Sequence, residues 1–250
     1  MELKLALEQV SLKRGEGLIL DRISLEFEPG HVTGVVGPNG SGKSTLLRVT
    51  YGFLEPDQGV VRVGDKPVRD WSPGELSVSL GVCPQGAEPS LDFLVEQLLG
   101  LKAGCVGEAL VEKLQPLSFL RLEELFAKQL SQLSGGERQR VRLGVALTGS
   151  SPWLILDEPA NHLDLATAWS LYSYLSDRSL KGGVVIALHD LSTAARFCKK
   201  LVLLSRGKLA GYGETEEVLT AQTLDEVFGL NGRLVKQGGE SSVVIEGVTR

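Results

Sequence analysis

The chain is poor in the features that mark extracellular or bilayer-embedded proteins. Its 250 residues include three cysteines, Cys83, Cys105 and Cys198, far apart and with no CxxC pair. An odd number without zinc-ligand spacing argues against both a disulfide framework and a structural zinc site. Reduced thiols serving as small core residues in a cytosolic protein are the simplest expectation. No apolar stretch approaches the ~18 to 20 uninterrupted residues needed to span a bilayer, so any work at a membrane calls for an anchor on another chain. The opening MELKLALEQ alternates and carries acid, unlike a secretory leader. There is no basic excess either: 26 Lys and Arg face 31 Asp and Glu, a net charge of −5, which speaks against nucleic acid as the partner. With 42% hydrophobic and 23% charged residues, the chain has what a globular protein with a sizeable core requires.

Leu3, Leu5 and Leu7 alternate and predict a half-buried strand. A second predicted strand ends at Leu25 and Phe27, with Pro29-Gly30 as a turn. Together they suggest a small antiparallel sheet ahead of the main domain. The β-branched run VTGVV at 32–36 predicts a buried strand, followed by GPNGSGKST and by Leu46, Leu47 and Val49 at helical spacing. Near Glu88 leucines begin to crowd at three- and four-residue intervals through Gln129, predicting an inserted helical lobe that extends to about 150. Leu91, Phe93, Leu94, Leu98 and Leu99 are expected in its core, with docking of a partner as the alternative for any that are exposed. Strand-like runs return at WLILD (153–157), VVIAL (184–188) and LVLLS (201–205). Their alternation with helix-length segments implies a mostly parallel sheet covered on both faces. From GETEEVL onward the pattern suggests short helices and a frayed strand.

Three motifs carry chemistry. Gly37, Pro38, Asn39, Gly40, Ser41, Gly42, Lys43 and Ser44, followed by Thr45, match GxxxxGK[ST] between a strand and a helix. Glycines let backbone N–H groups converge on phosphate oxygens, and the helix presents its positive end to them. Lys43 supplies a charge to the terminal phosphates of a nucleotide, and the Ser44 hydroxyl can ligate Mg²⁺. In the second motif the apolar strand Trp153-Leu-Ile-Leu156 ends in Asp157 and Glu158. These carboxylates then lie at the edge of the sheet where ligands bind, Asp157 for the Mg²⁺ shell and Glu158 for the attacking water. A pair of acids also starts helices and turns, so this motif alone decides nothing. The third, Leu133-Ser134-Gly135-Gly136-Glu137 running into Arg138-Gln139-Arg140-Val141, sets a second anion-seeking helix end in the same chain.

Those three motifs, in that order and at roughly those intervals, resemble the ATP-binding cassette ATPases over residues 3 to 230. The resemblance implies an α/β fold with a P-loop NTPase core, an N-terminal antiparallel subdomain and an inserted helical one, in a single nucleotide-binding domain of residues 1–250. It implies ATP and Mg²⁺ as ligands. Gln85 matches the family's Q-loop residue, near metal and water, and His189, after VVIAL, matches the switch histidine at the γ-phosphate. Asn161-His162-Leu163-Asp164 fits the D-loop, with Asp164 near nucleotide and His162 a plain loop residue; His31 has no functional signal. The family's head-to-tail dimer would explain the surplus helix end, each nucleotide lying between one copy's Lys43 loop and the other's Ser134, Gly135, Gly136 and Glu137. Where the family places an aromatic residue to stack on adenine, this sequence has Arg14. Its guanidinium can stack on a base, and Lys13-Arg14-Gly15 can equally be a solvated turn.

The single cassette, the short lobe and LSGGERQRVRLGVAL are similar to transporter motors. Such a motor sits at the cytoplasmic face of the membrane on transmembrane permease subunits, indirectly served by an extracytoplasmic substrate-binding protein. LDEPANHLDL and LDEVFGLNGRLV resemble subunits of ferric-siderophore, haem and cobalamin importers. The alternatives are another small cargo, such as a metal ion, and a soluble cassette ATPase of repair, translation or cofactor assembly.

Overall fold

A computed structural model describes residues 3–15, 17–86, 93–179 and 181–249. Strands β1 (Leu5–Arg14) and β2 (Gly17–Phe27) form the antiparallel pair expected at the N-terminus, with Leu5 opposite Phe27. Two further strands, β4 (Gln58–Val63) and the short β5 (Lys66–Pro67), complete a four-stranded sheet in the order β2-β1-β4-β5. Chain that follows the glycine loop thus returns to β1, a pairing between segments some fifty residues apart.

The main sheet has six strands in the order β10-β9-β3-β8-β7-β6. They are β3 (Val32–Val36), β6 (Leu80–Cys83), β7 (Trp153–Asp157), β8 (Gly183–Ala187), β9 (Lys200–Ser205) and β10 (Lys208–Glu214). All neighbours are parallel except β9 and β10. Period-two alternation divides its apolar residues between two cores. Leu154, Leu156, Val184, Ile186, Leu201 and Leu203 face one, whereas Ile155, Val185, Ala187, Val202 and Leu204 face the other, shared with the antiparallel sheet and helix α1 (Lys43–Thr50). Burial on both faces is why these strands read as unbroken apolar runs. Cys83 and Cys198 are buried and Cys105 half-buried, all unpaired, as expected of core filler.

The helical lobe is more broken than its leucine spacing suggests. Helices α3 (Val95–Ala103) and α4 (Glu108–Leu114) are short, and 3₁₀ turns follow at 115–120, 123–125 and 130–132. Pro116 cannot donate within a continuing helix, and Arg121 takes a left-handed conformation, φ 47°. Leu99 is fully buried, and Phe93 and Leu98 pack partly against the core; Leu94 is half-exposed and pairs with Gln129. Leu91 lies outside the described residues. Helix α5 (Gly135–Leu147) joins the lobe to the sheet through Val141, Leu143 and Ala146. Helix α2 (Pro73–Ser79) precedes β6, α6 (Leu165–Ser179) follows β7, and α7 (Leu191–Phe197) follows β8. After the short α8 (Thr215–Val218) and α9 (Ala221–Phe228), the tail is no frayed strand. It is a hairpin of β11 (Leu230–Gln237) and β12 (Glu240–Val248), closed by Gly238 and Gly239, both at positive φ. Two glycines there supply the left-handed pair of a tight hairpin turn.

β8 begins where the packing leaves no room for a side chain. A Cβ on Gly183 would sit 2.0 Å from the ring of Trp153, itself 1% exposed. Gly183→Ala is therefore expected to cost about 1–3 kcal/mol as overpacking, read from the midpoint of denaturant unfolding. An unchanged midpoint would contradict that packing.

Candidate functional site

The glycine loop leaves β3 at its carboxyl end and is held from behind by the strands beside it. The Ser41 N–H donates to the Pro38 carbonyl and the Gly207 N–H to the Ser41 carbonyl, 3.1 Å each. A Cβ on Gly37 (φ 154°) would lie 2.2 Å from the Leu204 carbonyl oxygen, and one on Gly42 (φ 105°) 3.1 Å from that of Ile19. Only glycine allows this approach. Gly42 is also the N-cap of α1 and offers no side chain to its first N–H groups, so those donors stay available to an anion. Asn39 and Gly40 are exposed at the tip, and Thr45 lies half-buried in the first helical turn. The buried Lys43 amine donates to the Gly37 and Pro38 carbonyls, at 2.8 and 3.2 Å. Burial lowers its pKa, against the opposing pull of Glu158 and Asp157.

Across the sheet edge, Ser44 Oγ donates to Asp157 Oδ1 at 3.1 Å. Burial raises the Asp157 pKa, and the Ser44 bond works against it. Glu158 has φ 48°, an uncommon conformation for a side-chain-bearing residue, and its N–H donates to the Ala187 carbonyl at 3.2 Å. Its carboxylate accepts from Gln85 Nε2 at 3.1 Å and from Asn161 Nδ2 at 2.6 Å, both on Oε2. Gln85 and Glu158 thus meet, a contact the sequence did not reveal. Asn161 was read there only as part of a loop; its partner is set by tertiary structure that no local pattern reveals. His189 follows β8 and is exposed. Since Asp157 and Val35 are both in register with Ala187, the residues after β3, β7 and β8 share one edge.

The second helix end is elsewhere. Ser134 caps α5 by accepting from the Glu137 N–H at 3.3 Å, while Glu137 Oε2 accepts from the Ser134 N–H at 2.9 Å. Ser134, Gly136 and Glu137, with Arg121, Arg140, His162 and Asp164, line a cleft of about 640 Å³ containing no residue of the glycine loop. Gly135 is exposed beside it. His162 is a loop residue with φ 66°. Asp164 caps α6: its carboxylate accepts from the Thr167 N–H at 2.9 Å and the Thr167 hydroxyl at 2.7 Å, and those bonds lower its pKa. Arg14 ends β1, opposite Gly17 and exposed at the hairpin tip.

A phosphate cradle, a hydroxyl–carboxylate pair and a glutamate held by two amides at one edge of a parallel sheet define a nucleoside-triphosphatase. Residues 20–161 match the ABC transporter family. The chain is 34% identical over 237 residues to the hemin import ATP-binding protein HmuV of Escherichia coli O157:H7, covering 91% of this chain and 93% of that one. It is 37% identical over 237 residues to the HmuV of Pseudomonas aeruginosa, covering 90% and 92%. Among solved structures it resembles the ATP-binding cassette MJ0796 in a dimeric post-hydrolysis state bound to ADP and Pi, with TM-score 0.73, 26% identity and coverage of 84% and 98%. The chain belongs to the ABC transporter family, as its ATP-binding and ATP-hydrolysing subunit.

The Glu137 carboxylate also accepts from Lys128 Nζ at 2.6 Å. That bond, with those from Ser134, lowers its pKa from 4.5 to about 2. A depressed carboxylate contributes stability that is complete above its unfolded pKa and lost as pH falls through the folded one, here from about 4.5 to about 2. Lys128→Met is expected to move the Glu137 titration upward in an NMR pH series; an unmoved titration would remove Lys128 from this role.

Proposed function

We propose that this chain is the motor of an importer for an iron chelate of the haem or siderophore class. Two copies assemble head to tail on transmembrane permease subunits, at the cytoplasmic face of the membrane. An extracytoplasmic binding protein delivers the cargo. The cargo class rests on the likeness, over more than nine-tenths of their length, to hemin import ATP-binding proteins. No helix of the described residues is long and apolar enough to cross a membrane.

The observation that carries the catalytic reading is the hydrogen-bonded set at the sheet edge, Ser44 with Asp157 and Glu158 with Gln85 and Asn161. Ser44 and Asp157 converge two hard oxygen donors, which suits Mg²⁺. With Gln85 they would hold the ion, whose charge eases phosphoryl transfer when bound. Lys43 and the backbone N–H groups of residues 39–45 bind the β- and γ-phosphates. Glu158, aimed by its two amide donors, orients and deprotonates the attacking water. His189, two residues beyond the end of β8, contacts the γ-phosphate. Ser134, Gly135 and Gly136 reach the nucleotide held by the partner copy, with Glu137 fixing their turn. Asp164 acts there through the loop it terminates. Arg14 stacks on the adenine.

Glu158→Gln is expected to keep ATP-driven dimerisation while lowering turnover at least ~100-fold, the loss typical of a positioned base. Near-normal turnover would remove Glu158 from that role. Lys43→Ala is expected to weaken nucleotide binding about tenfold or more, as for loss of a charge-assisted phosphate contact. Arg14→Ala should weaken it severalfold, and an unchanged Kd for ATP would exclude stacking. For cargo, the chain reconstituted with its co-purified permease is expected to hydrolyse ATP faster when haem is delivered by the binding protein. Stimulation only by a different solute would overturn the cargo class.

A further inference from the structure

Beyond the sheet edge, one buried polar contact joins the two halves of the functional surface. Gln139 lies in the second turn of α5, is 6% exposed, and donates from Nε2 to the Pro159 carbonyl at 2.7 Å. Pro159 directly follows Glu158. Three residues before Gln139, on the same helix face, Gly136 approaches the loop again: a Cβ there would lie 2.9 Å from the His162 carbonyl oxygen. The segment between these contacts is a compact turn. The Asn161 N–H donates to the Glu158 carbonyl at 3.2 Å, and its amide side chain holds Glu158 Oε2.

We propose that Gln139 is a positioning residue that couples the two nucleotide sites of the dimer. The proposal rests on the shared-site reading above, in which the first turn of α5 acts on the partner's nucleotide while Glu158 acts on this copy's own. Gln139 and the Gly136–His162 approach clamp α5 onto the 158–162 turn. Proline fixes the backbone at the clamped carbonyl, so a shift of α5 is passed to Glu158 instead of being absorbed in a loose loop. The bond is buried, and a carbonyl left without its donor there is costly, which favours motion of the two segments as one body. Capture of the partner's nucleotide by Ser134–Gly136 therefore sets Glu158 and Asn161 for hydrolysis at this copy's site. Gln139 and Pro159 themselves have no part in binding nucleotide in this reading; they act through the segments they join.

The test compares the full chain with Gln139→Met, which keeps length and removes the donor. Three quantities are measured: the Kd for a fluorescent ATP analogue at monomeric concentration, kcat, and the Hill coefficient for ATP. The wild type is expected to approach a Hill coefficient of about two, one per shared site. Gln139→Met is expected to keep its Kd within about twofold while kcat falls at least ~10-fold, the scale of a small misplacement of a reacting group, and the Hill coefficient falls toward one. An unchanged Hill coefficient and kcat would overturn the coupling. So would a kcat loss accompanied by an equal loss of ATP affinity, the mark of a merely structural role. Should Gln139→Met fail to fold, Gln139→Asn, too short to reach Pro159, must show the same loss of cooperativity or the proposal fails. A wild type that is itself non-cooperative and forms no ATP-driven dimer as Glu158→Gln would instead refute the shared-site reading, and the coupling with it.

Discussion

The structure depends on the register of three parallel strands. Because Val35 and Asp157 both align with Ala187, the chain leaves β3, β7 and β8 along one line at the edge of the sheet. Sequence segments more than a hundred residues apart then meet without a flexible connection. The Ser44–Asp157 hydrogen bond spans 113 positions and closes that line. A one-residue slip in either ladder would turn Asp157 to the other face. It would also exchange the two cores that the sheet separates, so the core packing that secures the fold secures the chemistry as well.

The helix ends at the two glycine motifs are built differently. α1 begins at a glycine with no side-chain cap, leaving its first N–H groups without a capping side chain. α5 begins with a capping box reinforced by Lys128, which fixes the turn before any ligand arrives. One end is open and shaped by close backbone approach; the other is a preformed probe presented outward beside its own cleft. Such an arrangement suits a site completed by a second molecule, in accord with the likeness to a dimeric cassette.

Much of this was legible in the sequence, for physical reasons. Strands buried on both faces have to be apolar throughout, so VTGVV, WLILD, VVIAL and LVLLS stood out. The glycine loop was legible because close backbone approach leaves no other residue possible at Gly37. What was missed depends on long-range pairing or on local breaks. Nothing in residues 58–67 announces that they join β1. The lobe's leucines keep helical spacing across Pro116 and Arg121, where the helix stops. The tail did carry a signal, Gly238-Gly239 between alternating residues, and its reading as a frayed strand overlooked the turn chemistry. Asn161 and Gln139 matter through partners brought to them by the fold, and polar residues on loops and helices look alike until that fold is known.

The central claim is that each nucleotide lies between the glycine loop of one copy and the α5 end of the other, and it can be tested by cross-linking. In a Glu158→Gln background with Cys105→Ser, Asn39→Cys chains are mixed with Ser134→Cys chains, both positions being exposed in the single chain. The mixture is then treated with a short thiol cross-linker with and without ATP. Head-to-tail sharing predicts a covalent dimer that forms only in the mixture and only with ATP. Cross-linking of either variant with itself, or a yield indifferent to ATP, would contradict it.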